Sequence, residues 1–247
     1  KAIRCFIDRR VGSLSSGTIV YQGLSLDRCA RPDILSVSDT LSMSRKNIII
    51  YGGSFSPPHI GHMIAIETAL RHAPHIDELW ILPSSDRLDK QIGVSGDHRV
   101  AMLGIMLEEF FPTPEKPITI STLELDRPGL TTTHATLLEL QQVYPDYTFH
   151  FLIGADLLRH IRNTWVNGKK LWDAAHFIAL RDLGDDVPVE LPTHIQMVSD
   201  DMAWVGVSST FVRSLVSRGF PGTPYIHNRV AVYIKTHYLY GTKKGRV

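Results

Sequence analysis

The stretch that decides the fold is "NIIIYGGSFSPPHIGH", residues 47 to 62. An apolar run of three isoleucines reads as a buried strand, and the "MIAIETALRHA" that follows reads as an amphipathic helix. Gly52, Gly53, Pro57 and Pro58 between them are ordinary turn chemistry, but a turn has no use for His59 and His62 flanking Gly61. Two glycines at a strand end let a ligand approach the backbone without a Cβ in the way. A helix starting near Gly61 presents free N–H groups and the positive end of its dipole, which suits phosphate. The two imidazoles add donors for the same oxygens, so a phosphate-binding strand–turn–helix accounts for the whole string.

Further along the chain, "ELWILP", "ITIST", "YTFHFLIG", "HFIALR" and "HIQMV" are strand candidates. Helices are expected over 62–73, 97–110, 133–144, 156–161, 209–218 and 227–238. Strand alternating with helix predicts an α/β fold, a Rossmann-like doubly wound parallel sheet with helices on both faces. Ligands bind such sheets at the carboxyl ends of the strands, where the opening stretch sits.

Composition narrows the function classes. The 247 residues carry 26 Lys and Arg against 25 Asp and Glu, a net charge of +1, which gives no concentrated basic footprint for nucleic acid or a membrane surface. With 43% hydrophobic and 21% charged residues the chain reads as an ordinary globular protein. No apolar run approaches the roughly 18 residues of a membrane span. The two cysteines, Cys5 and Cys29, lie in the first 46 residues, so no thiolate metal site or cysteine nucleophile is expected beyond them.

Residues 1–46 are rich in Ser and Arg without a sustained period and are expected to form a poorly ordered extension. Met43, just before the first strong strand, reads as the natural start. Asp8, Asp27, Asp33 and Asp39 argue against a transit peptide. Residues 47–247 are expected to form the working domain.

A second element, "VGVSSTFVR" at 205–213, places Ser208, Ser209 and Thr210 where a helix begins and Arg213 one turn along it. Hydroxyls and N–H groups at a helix start with a guanidinium behind them make a second phosphate cradle. Taken alone it is equally an ordinary N-cap and a solvated arginine.

Together the two elements resemble the nucleotidyltransferase signatures GG-[ST]-F-x-P-x-H-x-GH and ISSTxxR. Within that superfamily, residues 47–240 most resemble the bacterial-type nicotinate-mononucleotide adenylyltransferases. Further matches are "LELDRPGLTTTHATLLEL" at 123–140, "FLIGADLL" at 151–158, "NTW" at 163–165 and "VAVYIKTHYLY" at 230–240. The family's Pro-His-Lys loop reads "SSDRLDKQIG" here, leaving Lys90 as the basic residue, and its Ser-Tyr-Thr reads "TTT".

The resemblance implies adenylyl transfer from ATP to nicotinate mononucleotide, with pyrophosphate released, in NAD biosynthesis. It implies phosphate contacts from His59, His62 and Arg213, and ATP-site roles for Gly52, Gly53, Ser54, Phe55, Gly61, Lys90, Ser208, Ser209 and Thr210. Thr133, Asp156 and Trp165 would hold the mononucleotide, with Arg127 and Arg181 as weaker candidates. Mg²⁺ would arrive with ATP and no protein-held metal is expected. The partners are ATP and a pyridine mononucleotide, the setting is cytoplasmic, and a homo-oligomer is left open.

Nicotinamide mononucleotide as acceptor, a cytidylyltransferase and a phosphopantetheine adenylyltransferase are the alternatives of the same fold. "HIGH" at 59–62 also matches class I aminoacyl-tRNA synthetases, but a KMSKS-like loop and an RNA-binding region are missing. A non-catalytic regulator would be expected to have lost His59, His62 or Arg213. For the acid over the amide, "TTTHA" and "NTWVNGKK" offer donors, Lys169 and Lys170 nearby, and no Asp or Glu, with Asn163 or Asn167 as the available amide acceptors.

Overall fold

The computed structural model describes residues 18–21, 45–85, 93–127, 129, 131–181, 190–203 and 205–242. Its centre is a sheet of seven strands, β1 (Thr18–Tyr21), β2 (Lys46–Gly53), β3 (Glu78–Pro83), β4 (Ile118–Ser121), β5 (Tyr147–Gly154), β6 (His176–Leu180) and β7 (Ile195–Val198). The spatial order is β1-β4-β3-β2-β5-β6-β7. β2 to β7 run parallel, and β1 pairs antiparallel with β4 at the edge. Six strands therefore match the expected doubly wound parallel sheet. The antiparallel edge was not foreseen, because "TIVY" is four residues in a segment without periodicity.

The chain winds outward from β2 through β3 to β4, then returns across β2 to β5 and winds the other way through β6 to β7. The reversal lies between β2 and β5, where their carboxyl ends part and leave a crevice for a ligand. The central position of β2 explains its apolar run: Ile48, Ile49 and Ile50 are essentially inaccessible. Alternate side chains leave opposite faces, so Ile49 joins one core cluster while Ile48 and Ile50 join the other.

The first face is covered by α1 (Ile60–His72), α2 (Gly96–Phe110), α7 (Ser209–Ser217) and α8 (Asn228–Thr236). The second is covered by α4 (Thr133–Val143), α5 (Leu158–Thr164) and α6 (Gly168–Ala174). The short α3 (Leu123–Asp126) follows β4, and 3₁₀ turns occupy Ala155–Leu157 and Leu239–Gly241. No helix among the described residues is long and apolar enough to cross a membrane.

Helices α3 and α6 were not expected from sequence, since four and seven residues are too few to show a period. At Gly168, which opens α6, a Cβ would lie 1.8 Å from the Ile161 carbonyl oxygen, so the α5–α6 corner closes only with glycine there. That corner carries Trp165.

Candidate active site

The turn after β2 is set by residues from three other elements. The buried Arg99 of α2 donates through a guanidinium nitrogen to the Ser54 carbonyl at 2.9 Å and through Nε to the Val94 carbonyl at 3.2 Å. Arg213 of α7 donates to the Ser56 carbonyl at 2.7 Å, and the Ser209 hydroxyl donates to the Pro57 carbonyl at 2.9 Å. The Tyr240 hydroxyl meets the Ser56 hydroxyl at 3.1 Å. Two sequence motifs separated by about 150 residues are thus bonded directly to each other. Phe55 sits at φ 45° with its ring buried against His62, centroids 4.9 Å apart.

His59 is the N-cap of α1, and its backbone N–H donates to Nδ1 of His62 at 3.0 Å. This bond assigns the tautomer: Nδ1 accepts, so the proton of a neutral His62 sits on Nε2 as a donor. Burial, and after it the neighbouring His59 ring, push His62 well below the ordinary histidine range. The two rings lie 3.7 Å apart between centroids. Burial likewise pushes His59 down to about 4, and its buried Nδ1 has no hydrogen-bond partner among the described residues. Both histidines are therefore neutral donors at neutral pH. At Gly61 a Cβ would come within 3.2 Å of both the His59 ring and Val207, so the glycine lets the 205–208 segment close over the start of α1.

At the start of α7, Ser208 is the N-cap and accepts from the Phe211 N–H at 3.2 Å, while the Thr210 hydroxyl accepts from Arg213 at 3.0 Å. Arg213 thus bonds a carbonyl and a hydroxyl and forms no ion pair with any described residue, leaving a full charge for an anion.

Two clefts open on either side of the crevice and share Tyr51, Leu152, Ile153 and Gly154. One, about 320 Å³, is bounded by Gly61, Asp156, Leu180, Met202 and Val205. The other, about 620 Å³, is bounded by Gly52, Gly53, Ser84, Glu124, Thr133 and Trp165.

Thr133 and Trp165 share the larger cleft, as the resemblance implies, but Asp156 does not join them; it lines the smaller one beside Gly61. β5 ends between the two, and the turn at Ala155–Leu157 sends Asp156 to the α1 side. The helix cap is Thr132, whose hydroxyl accepts from the Ala135 N–H at 3.2 Å, leaving Thr133 in the first turn of α4. Lys90 lies outside the described residues. Arg127 is engaged with Glu139 and Thr136, and Arg181 is exposed after β6.

The expectation of a pocket without acids does not hold. Glu124 of α3 lines the larger cleft, with Thr136 and Thr131 hydroxyls donating to its two carboxylate oxygens at 2.7 and 3.4 Å. It was missed because α3 is too short to be read, so nothing placed residue 124 near residue 165. Ser84 was also missed: its buried hydroxyl has no hydrogen-bond partner among the described residues, and it lines the same cleft. Arg99 left a readable signal, an arginine in an apolar stripe with Met102, Leu103 and Met106.

The low histidine pKa values have a consequence for stability. His150, beside His75 and His176 at the other end of β5, is also lowered to about 4, chiefly by burial and then by those two rings. Above the unfolded value near 6.5 neither state is protonated. Below it the unfolded chain binds protons that folded His59 and His150 refuse, so stability falls as pH drops from about 6.5 toward 4. The expected loss at pH 5 is up to about 2 kcal/mol for His59 and less for the more exposed His150, whose charge solvent screens. Thermal melts should show a lower Tm at pH 5 than at pH 7, and a smaller drop in His150→Gln. An unchanged Tm across that range would contradict the assignment.

A parallel sheet of this order, with an HxGH turn at its reversal and a serine-threonine-arginine helix start bonded to it, defines a nucleotidyltransferase. Residues 50–215 match the Cytidylyltransferase-like family model. A relative from Clavibacter sepedonicus described as "Probable nicotinate-nucleotide adenylyltransferase" is 33% identical over 202 residues, 81% of this chain and 97% of the relative. One of the same description from Bacillus licheniformis is 31% identical over 80% of this chain and all of the relative. The fold is similar to "Plasmodium falciparum nicotinic acid mononucleotide adenylyltransferase complexed with NaAD", with a TM-score of 0.72, 26% identity, and coverage of 80% of this chain and 98% of that one. Within the cytidylyltransferase-like superfamily, the chain belongs to the nicotinate-nucleotide adenylyltransferase family.

Proposed function

We propose that the chain joins ATP and nicotinate mononucleotide to form nicotinate adenine dinucleotide and pyrophosphate, with the smaller cleft taking the adenosine end of ATP and the larger one the mononucleotide. The observation that carries this reading is the pair of clefts meeting at the sheet reversal beside the His59–His62 pair.

The attacking group is a phosphate monoester with a second pKa near 6, so at neutral pH it is largely a dianion. One of its oxygens attacks the α-phosphorus, the bond from that phosphorus to the bridging oxygen breaks, and the electron pair leaves with pyrophosphate. No proton has to move. The task of the protein is alignment and the stabilisation of charge on α-phosphate and leaving group. Nε2–H of His62, its direction fixed by the bond at Nδ1, would donate to the α-phosphate. His59 would donate to a neighbouring phosphate oxygen. The start of α7 and Arg213 would hold the β- and γ-phosphates.

Asp156 shares its cleft with Gly61 and would bind a ribose hydroxyl on the ATP side, not on the mononucleotide. Trp165 would stack on the cationic pyridine ring and Thr133 or Ser84 would donate to the ring substituent. Mg²⁺ is proposed to enter as the ATP complex, keeping several waters.

Steady-state kinetics with nicotinate and nicotinamide mononucleotides at saturating ATP and Mg²⁺ test the acceptor. With the Glu124 oxygens already receiving two hydroxyls, the cleft faces the ring substituent mainly with donors. A mismatched buried polar group costs about 1 to 3 kcal/mol, so a preference of roughly five-fold to 100-fold in kcat/KM for the acid is expected. Equal values, or a preference for the amide, would mean that Glu124 serves as the acceptor for the amide NH₂.

A further inference from the structure

The smaller cleft is walled on one side by α1 and on the other by the segment that follows β7. Ile64, Ala65 and Thr68 of α1 line it, and one further turn along the same helical face stands Arg71. Met202 and Val205 line it from the other side. Arg71 and Asp201 do not line the cleft, but they join its two walls. Nε of Arg71 donates to Oε1 of Glu67, one turn back, at 2.8 Å, which orients the guanidinium. One terminal nitrogen then forms an ion pair with the Asp201 carboxylate, and the other donates to the Asp201 carbonyl at 2.7 Å. Asp201 lies in the left-handed region at φ 50°, where a residue with a Cβ is strained. No other described side chain bonds it. Met202, the next residue, packs against the core while it lines the cleft. Gln196 of β7 fastens the same end of α1 by donating to the His72 carbonyl at 2.9 Å. The second wall therefore turns into the cleft at a strained aspartate that one arginine holds by both carboxylate and carbonyl.

We propose that Arg71 is a positioning residue for ATP: by clamping Asp201 it sets the place of Met202 and Val205, and so the fit of the cleft to adenosine, without touching the nucleotide. The proposal rests on the adenylyl-transfer reading for placing adenosine in the smaller cleft. No proton transfer and no phosphate contact is asked of the arginine. The clamp acts on one wall of one cleft, so its effects stay with the nucleoside of ATP and do not reach the cleft at Trp165.

Steady-state kinetics and calorimetry on the full chain test this. Release of the clamp in Arg71→Ala should raise the KM for ATP roughly three-fold to ten-fold, as fits an exposed ion pair reinforced by a hydrogen bond, while kcat and the KM for nicotinate mononucleotide stay within about twofold. Adenosine, an uncharged probe, should lose affinity in calorimetric titration by the same factor, and inhibition by pyrophosphate should not change. Asp201→Ala should give a like rise, and the double variant no more than either single one, because both changes remove the same contact. Arg71→Lys keeps the cation but cannot reach Glu67, the carboxylate and the carbonyl together, and should fall between alanine and wild type. Should Arg71→Ala melt early, Asp201→Ala, whose side chain is exposed, carries the same readout. Unchanged ATP KM and adenosine affinity in these variants would overturn the proposal, as would additive losses in the double variant or an equal rise in the mononucleotide KM. A loss confined to pyrophosphate would overturn it too, since Arg71 would then act as a charge on the phosphates. If the wild type formed no dinucleotide from ATP and nicotinate mononucleotide, the functional reading would fail, whereas adenosine titration of wild type and Arg71→Ala would still decide whether the clamp shapes the cleft. A wild type that bound no adenosine would overturn the proposal.

Discussion

A folded His62→Ala variant is expected to lose roughly 10² to 10³ in kcat, about 2.7 to 4 kcal/mol of transition-state stabilisation, the usual consequence of removing one preorganised donor from a site where charge develops. The basis is the bond from the His59 N–H to His62 Nδ1, which fixes both the ring and its tautomer before substrate arrives. The loss should fall on kcat more than on the KM of either substrate, because the donor gains most when charge builds on the α-phosphate. His62→Gln should be milder than alanine if its amide can reach the same oxygen. The pH profile separates this role from general-base catalysis. A neutral donor with a strongly lowered pKa produces no histidine limb near pH 6.5, and the remaining acid limb should follow the phosphate of the mononucleotide near pH 6. Wild-type kcat in a folded His62→Ala protein would remove His62 from the chemistry.

Arg213→Ala is expected to lower kcat/KM for ATP by roughly ten-fold to more than 100-fold, corresponding to about 1.5 to 3 kcal/mol for hydrogen bonds to a charged group. The KM for the mononucleotide should change little. Arg213 has a second task, since it holds the Ser56 carbonyl and so ties α7 to the HxGH turn. Arg213→Lys therefore distinguishes charge from geometry: it retains the cation but not the planar fork that serves Ser56, Thr210 and a phosphate together. Partial recovery of ATP handling with lysine points to charge, and none points to the fork. An unchanged kcat/KM for ATP in Arg213→Ala would place the arginine outside the site.

The parts legible in the sequence were those with a local cause. Three isoleucines in a row required a strand buried on both faces, and the Gly-Pro-His string could not be explained without a ligand at its carboxyl end. The serine cap and arginine of α7 were visible as a helix start, but that they bond to Ser56 and Pro57 is a fact of tertiary packing that no spacing encodes. The partition of the site was hidden for the same reason. Asp156 and Trp165 are nine residues apart and were grouped together, yet the turn after β5 sends them to different clefts. Glu124 and Ser84 reach the larger cleft from β4 and β3, strands on the far side of β2 from β5. Their roles follow from strand order, which the sequence constrains only to a class of topologies.

The most direct measurement is a single-turnover reaction of the purified chain with Mg²⁺, α-³²P-labelled ATP and nicotinate mononucleotide, with separation of the labelled products. The account predicts label in nicotinate adenine dinucleotide, with one unlabelled pyrophosphate released per dinucleotide formed and no label on the protein at any time. Label retained on the protein, release of orthophosphate in place of pyrophosphate, or no dinucleotide from any pyridine mononucleotide would contradict it.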